Sequence, residues 1–278
     1  MNYFNYNGKL FKEGSSIIGA DSRALRYGDG LFETMKSRNG IIELADEHFA
    51  RLWKGMQVLQ FEIPKHFSPE KLIEQAIALA KKNLHESAAR VRLSIIRGDG
   101  GLYDAENHKP NYIIQTWQLP EGNGDWNSNG LVAGIYSEVK KNCDILSNLK
   151  HNNYLTYVLA ALLAKKEKWN DAVLLNTTGN ICDSTIANIF IVKGELVFTP
   201  ALSEGCVAGV MRQALLQFLK TNQFQIEEKA ITINDLLNAD EVFFTNSIYN
   251  IRWVQSIGNT NYGNAFTQKI YAAFVPTI

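Results

Sequence analysis

The sequence predicts an α/β (α+β) protein of two lobes, and three observations lead there. Its 278 residues suffice for one large domain or two of ordinary size. Segments with helical apolar spacing alternate with short runs rich in β-branched and aromatic residues. One stretch, Leu119-Pro120-Glu121-Gly122-Asn123-Gly124-Asp125-Trp126-Asn127-Ser128-Asn129-Gly130, is rich in glycine and asparagine and nearly free of aliphatics. The predicted organisation is an N-terminal α+β domain over 1–119, a linker over 120–130 and a C-terminal α/β domain over 131–278. A ligand site is expected in the cleft between the lobes.

The elements follow in order. Phe49 to Gln60 carries Leu52, Met56 and Leu59 at helical spacing, with Pro64 beyond its end. Ser68-Pro69-Glu70 is a cap with proline at the first helical position, opening a helix to about Asn83. Val91–Ile96 and Tyr112–Gln118 read as strands. After the break, Leu131–Val139 is strand-like, Asn153–Lys168 helical and Ala172–Asn176 a buried strand. Thr177-Thr178-Gly179-Asn180 is a hairpin turn, and Ile189–Val192 pairs with Leu196–Thr199 across Lys193-Gly194-Glu195. Val207–Lys220 is helical, Asp235–Asn238 a short helix, and Glu241–Thr245 a strand.

Composition narrows the function classes. Lysine plus arginine equals aspartate plus glutamate at 28 each, which gives no broad pull toward nucleic acid or membrane. Three widely spaced cysteines and five scattered histidines suggest neither a disulfide scaffold nor a metal site. The start lacks a basic region followed by an apolar stretch, and no apolar run is long enough to span a bilayer. A cytoplasmic enzyme or binding protein is the default reading.

Lys150 stands at the centre of the chemistry. Its segment, Ser147-Asn148-Leu149-Lys150-His151-Asn152-Asn153-Tyr154, is read as a polar strand end that delivers a lysine onto an apolar helix. Burial disfavours the ammonium and so favours the amine that attacks a carbonyl. A solvated lysine is the plain alternative. Arg51, in the first turn of a helix, can fork onto a phosphate or a carboxylate, or serve as a surface ion-pair partner. Asp183, five residues before Asn188-Ile189-Phe190, needs a cation or hydrogen-bond donors if it is buried. Gly205 to Arg212 opens a helix whose free backbone amides can hold an anion. Thr245-Asn246-Ser247 offers hydroxyls at a strand's end, and Gly28 and Gly30 make a tight turn before Leu31-Phe32-Glu33-Thr34.

A lysine for a Schiff base, a carboxylate for a pyridinium, and an arginine with helix amides for a phosphate are the parts of a pyridoxal phosphate site. In these motifs and their order, from about Gly8 to Val254, the chain resembles the class IV aminotransferases, the fold-type-IV pyridoxal phosphate enzymes. These include branched-chain and D-amino acid aminotransferases and aminodeoxychorismate lyases. The resemblance implies a two-lobed D-amino acid aminotransferase-like fold, pyridoxal 5′-phosphate as cofactor, an amino acid-like substrate and a homodimer. It implies that Lys150 is the Schiff-base lysine and general base, that Arg51, Val210, Met211 and Ser247 hold the phosphate, and that Asp183 faces the pyridine nitrogen. The family has a glutamate where this chain has Asp183, one methylene shorter, which predicts a longer contact and a weaker electron sink. Phe32, Thr34 and Arg92 fall where substrate is read. Thr34 is similar to a threonine of the lyases where branched-chain enzymes have glycine, and Leu149-Lys150-His151 and the Arg97-Gly98-Asp99-Gly100-Gly101 loop are similar to the lyases too. Leu102 departs from the basic residue some lyases carry. The resemblance thus implies an aminodeoxychorismate lyase first, a branched-chain aminotransferase second, and a non-catalytic pyridoxal-binding homologue third.

Overall fold

A computed structural model describes residues 2–278, and the chain divides into two compact units. The first comprises Met1–Asn123 together with Lys150–Asn153, and the second comprises Gly124–Leu149 with Tyr154–Ile278.

The first unit contains β1 (Tyr3–Tyr6), β2 (Lys9–Lys12), α1 (Arg23–Tyr27), β3 (Gly30–Arg38), β4 (Ile41–Ile42), α2 (Ala45–Val58), α3 (Pro69–Lys82), β5 (Ala88–Arg97) and β6 (Pro110–Gln118). Its six strands form one antiparallel sheet in the order β2-β1-β6-β5-β3-β4. Hydropathy does not single out β1 and β2. Their signal is the Asn7-Gly8 turn between them, where both residues take positive φ, the geometry that matches strand twist in a two-residue hairpin. Helix α3 starts where its cap predicts, with Ser68 Oγ accepting from the Lys71 amide at 3.4 Å and Pro69 in the first turn. Helix α2 buries His48, Phe49, Leu52, Gly55 and Met56, one face at helical spacing.

Asp29 ties this unit's loops together. It accepts from Arg23 Nε at 3.0 Å and from Arg97 Nε at 2.9 Å. Arg23 also donates to the carbonyls of Gly100, Leu102 and Tyr103. A buried guanidinium with its carboxylate therefore fixes the glycine-rich loop after β5 through that loop's own backbone.

The second unit contains β7 (Leu131–Lys141), α4 (Leu155–Lys166), β8 (Asp171–Asn176), β9 (Ile181–Ser184), β10 (Asn188–Lys193), β11 (Leu196–Pro200), α5 (Val210–Thr221), β12 (Gln225–Lys229), α6 (Ile233–Leu237), β13 (Glu241–Asn246), β14 (Asn250–Ile257), β15 (Thr260–Asn261) and α7 (Ala265–Phe274). Its mixed sheet runs β12-β11-β10-β13-β14-β7-β8-β9, with β15 on β14. β7 and β8 are parallel, joined through α4, and β8 is buried along its whole length, as a strand covered on both faces must be. The predicted turns at Thr177–Asn180 and Lys193–Glu195 join the antiparallel pairs β8–β9 and β10–β11. Val173, Leu175, Ile189, Ile191, Val242, Phe244 and Val254 share one core cluster. Tyr136, Tyr157, Ala160, Ala164, Leu174 and Val207 form another beneath α4.

Three expectations shift. The helix expected from Phe49 begins at Ala45, so Arg51 lies in its second turn and not its first. The helix expected from Val207 begins at Val210, because Gly209 is its extended N-cap and a side chain at Gly209 would collide with Asn188 Oδ1. Lys150 does not sit at a strand end. β7 stops at Lys141, and the following segment turns back on itself, with Asp144 Oδ1 accepting from the Leu146 and Ser147 amides at 2.9 and 3.1 Å.

Candidate active site

Lys150 is held by the first unit's sheet. The Phe32 amide donates to the Lys150 carbonyl at 2.9 Å, the Asn152 amide donates to the Gly30 carbonyl at 3.0 Å, and Leu31 bridges His151. Residues 150–152 thus extend β3 on its outer side. Gly30 is required for that approach, since a Cβ there would come within 2.6 Å of Asn152 Nδ2 and 2.2 Å of the Ile95 carbonyl oxygen. The Lys150 ammonium lies 4.6 Å from the centre of the Phe32 ring, a cation over an aromatic face.

Strand alternation then sorts the predicted residues. Thr34 is paired with Arg92 and Phe32 with Ser94 across β3–β5, so all four side chains stand on one face of the sheet. The Arg92 guanidinium stacks 3.9 Å from the Phe32 ring centre, and its Nε donates to Ser94 Oγ at 3.2 Å. Phe32 therefore carries both Lys150 and Arg92, with Thr34 beside them. A nucleophilic amine, a hydroxyl and a carboxylate-binding fork share one surface.

Arg51 belongs to the opposite face. Glu33, between Phe32 and Thr34, points toward α2, where Arg51 Nε donates to Glu33 Oε1 at 2.8 Å and an Nη donates to Oε2. His48 Nδ1 meets Glu33 Oε2 at 2.7 Å. Glu33 is wholly buried, which alone would raise its pKa. The Arg51 guanidinium and His48 overcome this and hold the carboxyl at about 2. Burial pushes the His48 imidazole below its usual range against the pull of Glu33. The neutral ring then donates through Nδ1, and its buried Nε2 has no partner among the described residues. Of the two roles the sequence offers Arg51, a carboxylate fork is thus occupied by Glu33.

The second unit carries the remaining predicted residues. Asp183 on β9 is buried and accepts from four donors. Lys141 Nζ reaches Oδ2 at 2.8 Å, the Tyr157 hydroxyl at 2.9 Å and the Val207 amide at 3.0 Å, while Asn188 Nδ2 reaches Oδ1 at 3.0 Å. Burial, then the Asp183 charge, pushes the Tyr157 hydroxyl well above its usual range, so it remains a donor. Helix α5 begins at Val210 and Met211 with no side chain capping its first-turn amides and no acid in that turn. At the end of β13, Thr245 Oγ1 is buried without a partner among the described residues, and Ser247 follows two residues on, half-buried. Glu33, His48, Lys141, Tyr157 and Asn188 are the functional candidates that sequence reasoning passed over. Glu33 and His48 carry a signal within their motifs, an acid alternating inward between two site residues and a histidine one helical turn from an arginine. Lys141 carries none, because Lys140-Lys141 at the end of an apolar strand reads as a solvated pair. Among the described residues there is no grouping of histidine, cysteine and acidic side chains fit for a metal, and no helix is long and apolar enough to cross a membrane.

Comparison with known proteins supplies a further constraint. A family model described as amino-transferase class IV matches residues 30–257. The aminodeoxychorismate lyase of Vibrio harveyi is 32% identical over 237 residues, spanning 84% of this chain and 85% of the lyase. A putative branched-chain-amino-acid aminotransferase of Methanocaldococcus jannaschii is 30% identical over 243 residues, spanning 86% of this chain and 82% of that protein. Among solved structures, the branched-chain aminotransferase of Thermoproteus uzoniensis superposes with a TM-score of 0.86 at 22% identity, covering 99% of this chain and 93% of the other. At that identity the likeness speaks for the fold, which is the one the resemblance implies.

Proposed function

The chain belongs to the amino-transferase class IV family, and from that premise we propose that it is an aminodeoxychorismate lyase, converting 4-amino-4-deoxychorismate to 4-aminobenzoate and pyruvate. It is an enzyme of that family and uses pyridoxal 5′-phosphate. The observation that carries the lyase reading is the shared face of Lys150, Thr34 and Arg92 on the Phe32 ring. An elimination needs a base, a proton donor and a grip on an anionic substrate. Transamination can proceed with the lysine as sole proton carrier, so the hydroxyl at Thr34 is the distinguishing group.

Each unit carries residues of the kinds the cofactor needs. In the first, Lys150 offers an amine and Arg51 a guanidinium steadied by Glu33; in the second, α5 offers its open amides at Val210 and Met211 and the end of β13 the hydroxyls of Thr245 and Ser247. Asp183 offers an oxygen, Oδ1, that accepts only one protein donor. When bound, pyridoxal phosphate supplies an electron sink for the carbon that loses its proton. Lys150 Nζ takes that proton. The Thr34 hydroxyl, on the same sheet face as Phe32, would donate as the pyruvyl group leaves, and Arg92 would bind a substrate carboxylate in a plane fixed by Phe32 and Ser94.

The test is 4-aminobenzoate release from 4-amino-4-deoxychorismate, read beside the visible spectrum on adding L-glutamate. We expect equal release of 4-aminobenzoate and pyruvate, a spectrum unmoved by glutamate, and a rate roughly 100-fold lower in Thr34→Gly. Bleaching to the pyridoxamine form without 4-aminobenzoate would assign a transaminase instead. The branched-chain reading draws support from the M. jannaschii relative and from the exposed apolar Leu102 in the loop after β5.

The functional unit we propose is a homodimer. Leu155, Val158, Leu159 and Leu162 stand exposed on α4 at positions i, i+3, i+4 and i+7, a continuous apolar seam. A second copy would cover it. Light scattering should give twice the chain mass for the parent and the chain mass for Leu155→Lys/Leu159→Lys; a parent monomer would remove the dimer.

A further inference from the structure

Asp183 is buried, and its ionic partner among the described residues is one that no sequence motif marks. Lys141, the last residue of β7, has its ammonium 2.8 Å from Asp183 Oδ2 and 5.3 Å from the centre of the Tyr157 ring. The lysine is itself 7% exposed, so this is a buried pair in which each charge compensates the other's lost hydration. The four donors are unevenly divided. Oδ2 is taken by Lys141, Tyr157 and the Val207 amide, whereas Oδ1 takes Asn188 alone. Asn188 is in turn fixed by donating to the Val207 carbonyl at 2.8 Å.

We propose that Lys141 is a charge-tuning residue for Asp183, competing from Oδ2 for the carboxylate's charge with the cofactor's pyridine nitrogen, to which Oδ1 is presented. This rests on the reading of Asp183 as the pyridine partner. The pair has two consequences. Before the cofactor binds, Lys141 neutralises a carboxylate that would otherwise be stranded in the core. Once it binds, two cations divide one anion, and the ammonium disfavours a protonated pyridine nitrogen through its like charge. The cofactor of this chain is therefore held with a weaker pyridinium than Asp183 alone would sustain. That suits an elimination in which rearomatisation of the substrate drives the later steps.

The experiment is a titration of cofactor-free protein with pyridoxal 5′-phosphate, following affinity and melting temperature for the parent, Lys141→Met, Lys141→Arg and Asp183→Asn. Lys141→Met should melt lower than the parent without cofactor, gain more from its addition, and bind it about tenfold tighter, because the incoming pyridinium replaces the missing cation. Lys141→Arg should behave as the parent. Equal losses in melting temperature with and without cofactor, at unchanged or weaker affinity, would reduce Lys141 to a structural residue and overturn the proposal. The underlying reading has its own control. If Asp183→Asn binds pyridoxal phosphate as the parent does, Asp183 is not the pyridine partner, and the proposal falls with it.

Discussion

We expect the Lys150→Ala variant to fold like the parent while its turnover falls roughly 10⁴-fold. The two halves of that expectation have separate causes. What ties residue 150 to β3 is backbone: its carbonyl accepts from Phe32, and its neighbour Asn152 donates to Gly30. Alanine keeps both bonds. The side chain contributes a cation over Phe32, an interaction of roughly 1 kcal/mol, and is half-buried, so little folding energy is lost with it. The reaction loses both its nucleophile and its base, because the other lysine of β3 on the face of Phe32 and Thr34, Lys36, is fully buried and held by Glu43 Oε2 at 2.7 Å. Thermal melting checks the first half. Product release, with and without a small primary amine such as methylamine, checks the second. Partial rescue by the amine identifies the missing group as the Nζ itself. A variant that keeps about a tenth of the parent's rate would take Lys150 out of the chemistry.

How much of this was legible in the sequence depends on the range of the interaction. Local signals are read well. Ser68-Pro69 starts α3 because a hydroxyl cap and a fixed φ act within one turn. The β10–β11 hairpin is set by the residues it contains. The tight turn at Gly28 and Gly30 was visible, but its purpose was not, since the crowding around Gly30 comes from Ile95 and Asn152, far along the chain. The segment before Lys150 reads as a strand end, but an aspartate turn at Asp144 intervenes, and turns in polar segments are hard to tell from frayed strands. The need of a buried Asp183 for donors follows from its type alone. The four it finds come from β7, α4, β10 and the segment before α5, a convergence that periodicity cannot reveal. Arg51 shows the same limit: its motif fixes where the guanidinium starts, and only the fold shows that Glu33 receives it.

Glu33 therefore yields the second large effect. In Glu33→Gln the Arg51 guanidinium loses the buried carboxylate it forks onto and His48 loses its charged acceptor, and breaking a buried ion pair from one side costs several kcal/mol. The pH dependence gives an independent figure. The carboxyl titrates at 4.5 when free and at about 2 when folded, a difference worth roughly 3 kcal/mol. Its sign follows from proton counting. Between these values the unfolded chain binds a proton that the folded one does not, so Glu33's contribution is complete above about 4.5 and is lost as pH falls toward 2. The parent should thus exceed Glu33→Gln in stability by a nearly constant margin from neutral pH down to about 4.5, with the margin closing below it. Denaturant unfolding of both proteins at pH 7, 5 and 3 measures this, and a margin as wide at pH 3 as at pH 7 would show that the charge of Glu33 is not what stabilises the fold. Function should follow stability for a geometric reason. Glu33 holds Arg51 by Nε and one Nη, which fixes the plane of the guanidinium, so the variant should also bind pyridoxal phosphate more weakly even where it is fully folded. Arg51→Lys should lose affinity in the same way while keeping its charge, because a point-like ammonium cannot lie across both oxygens of Glu33 and leave a second edge for an anion.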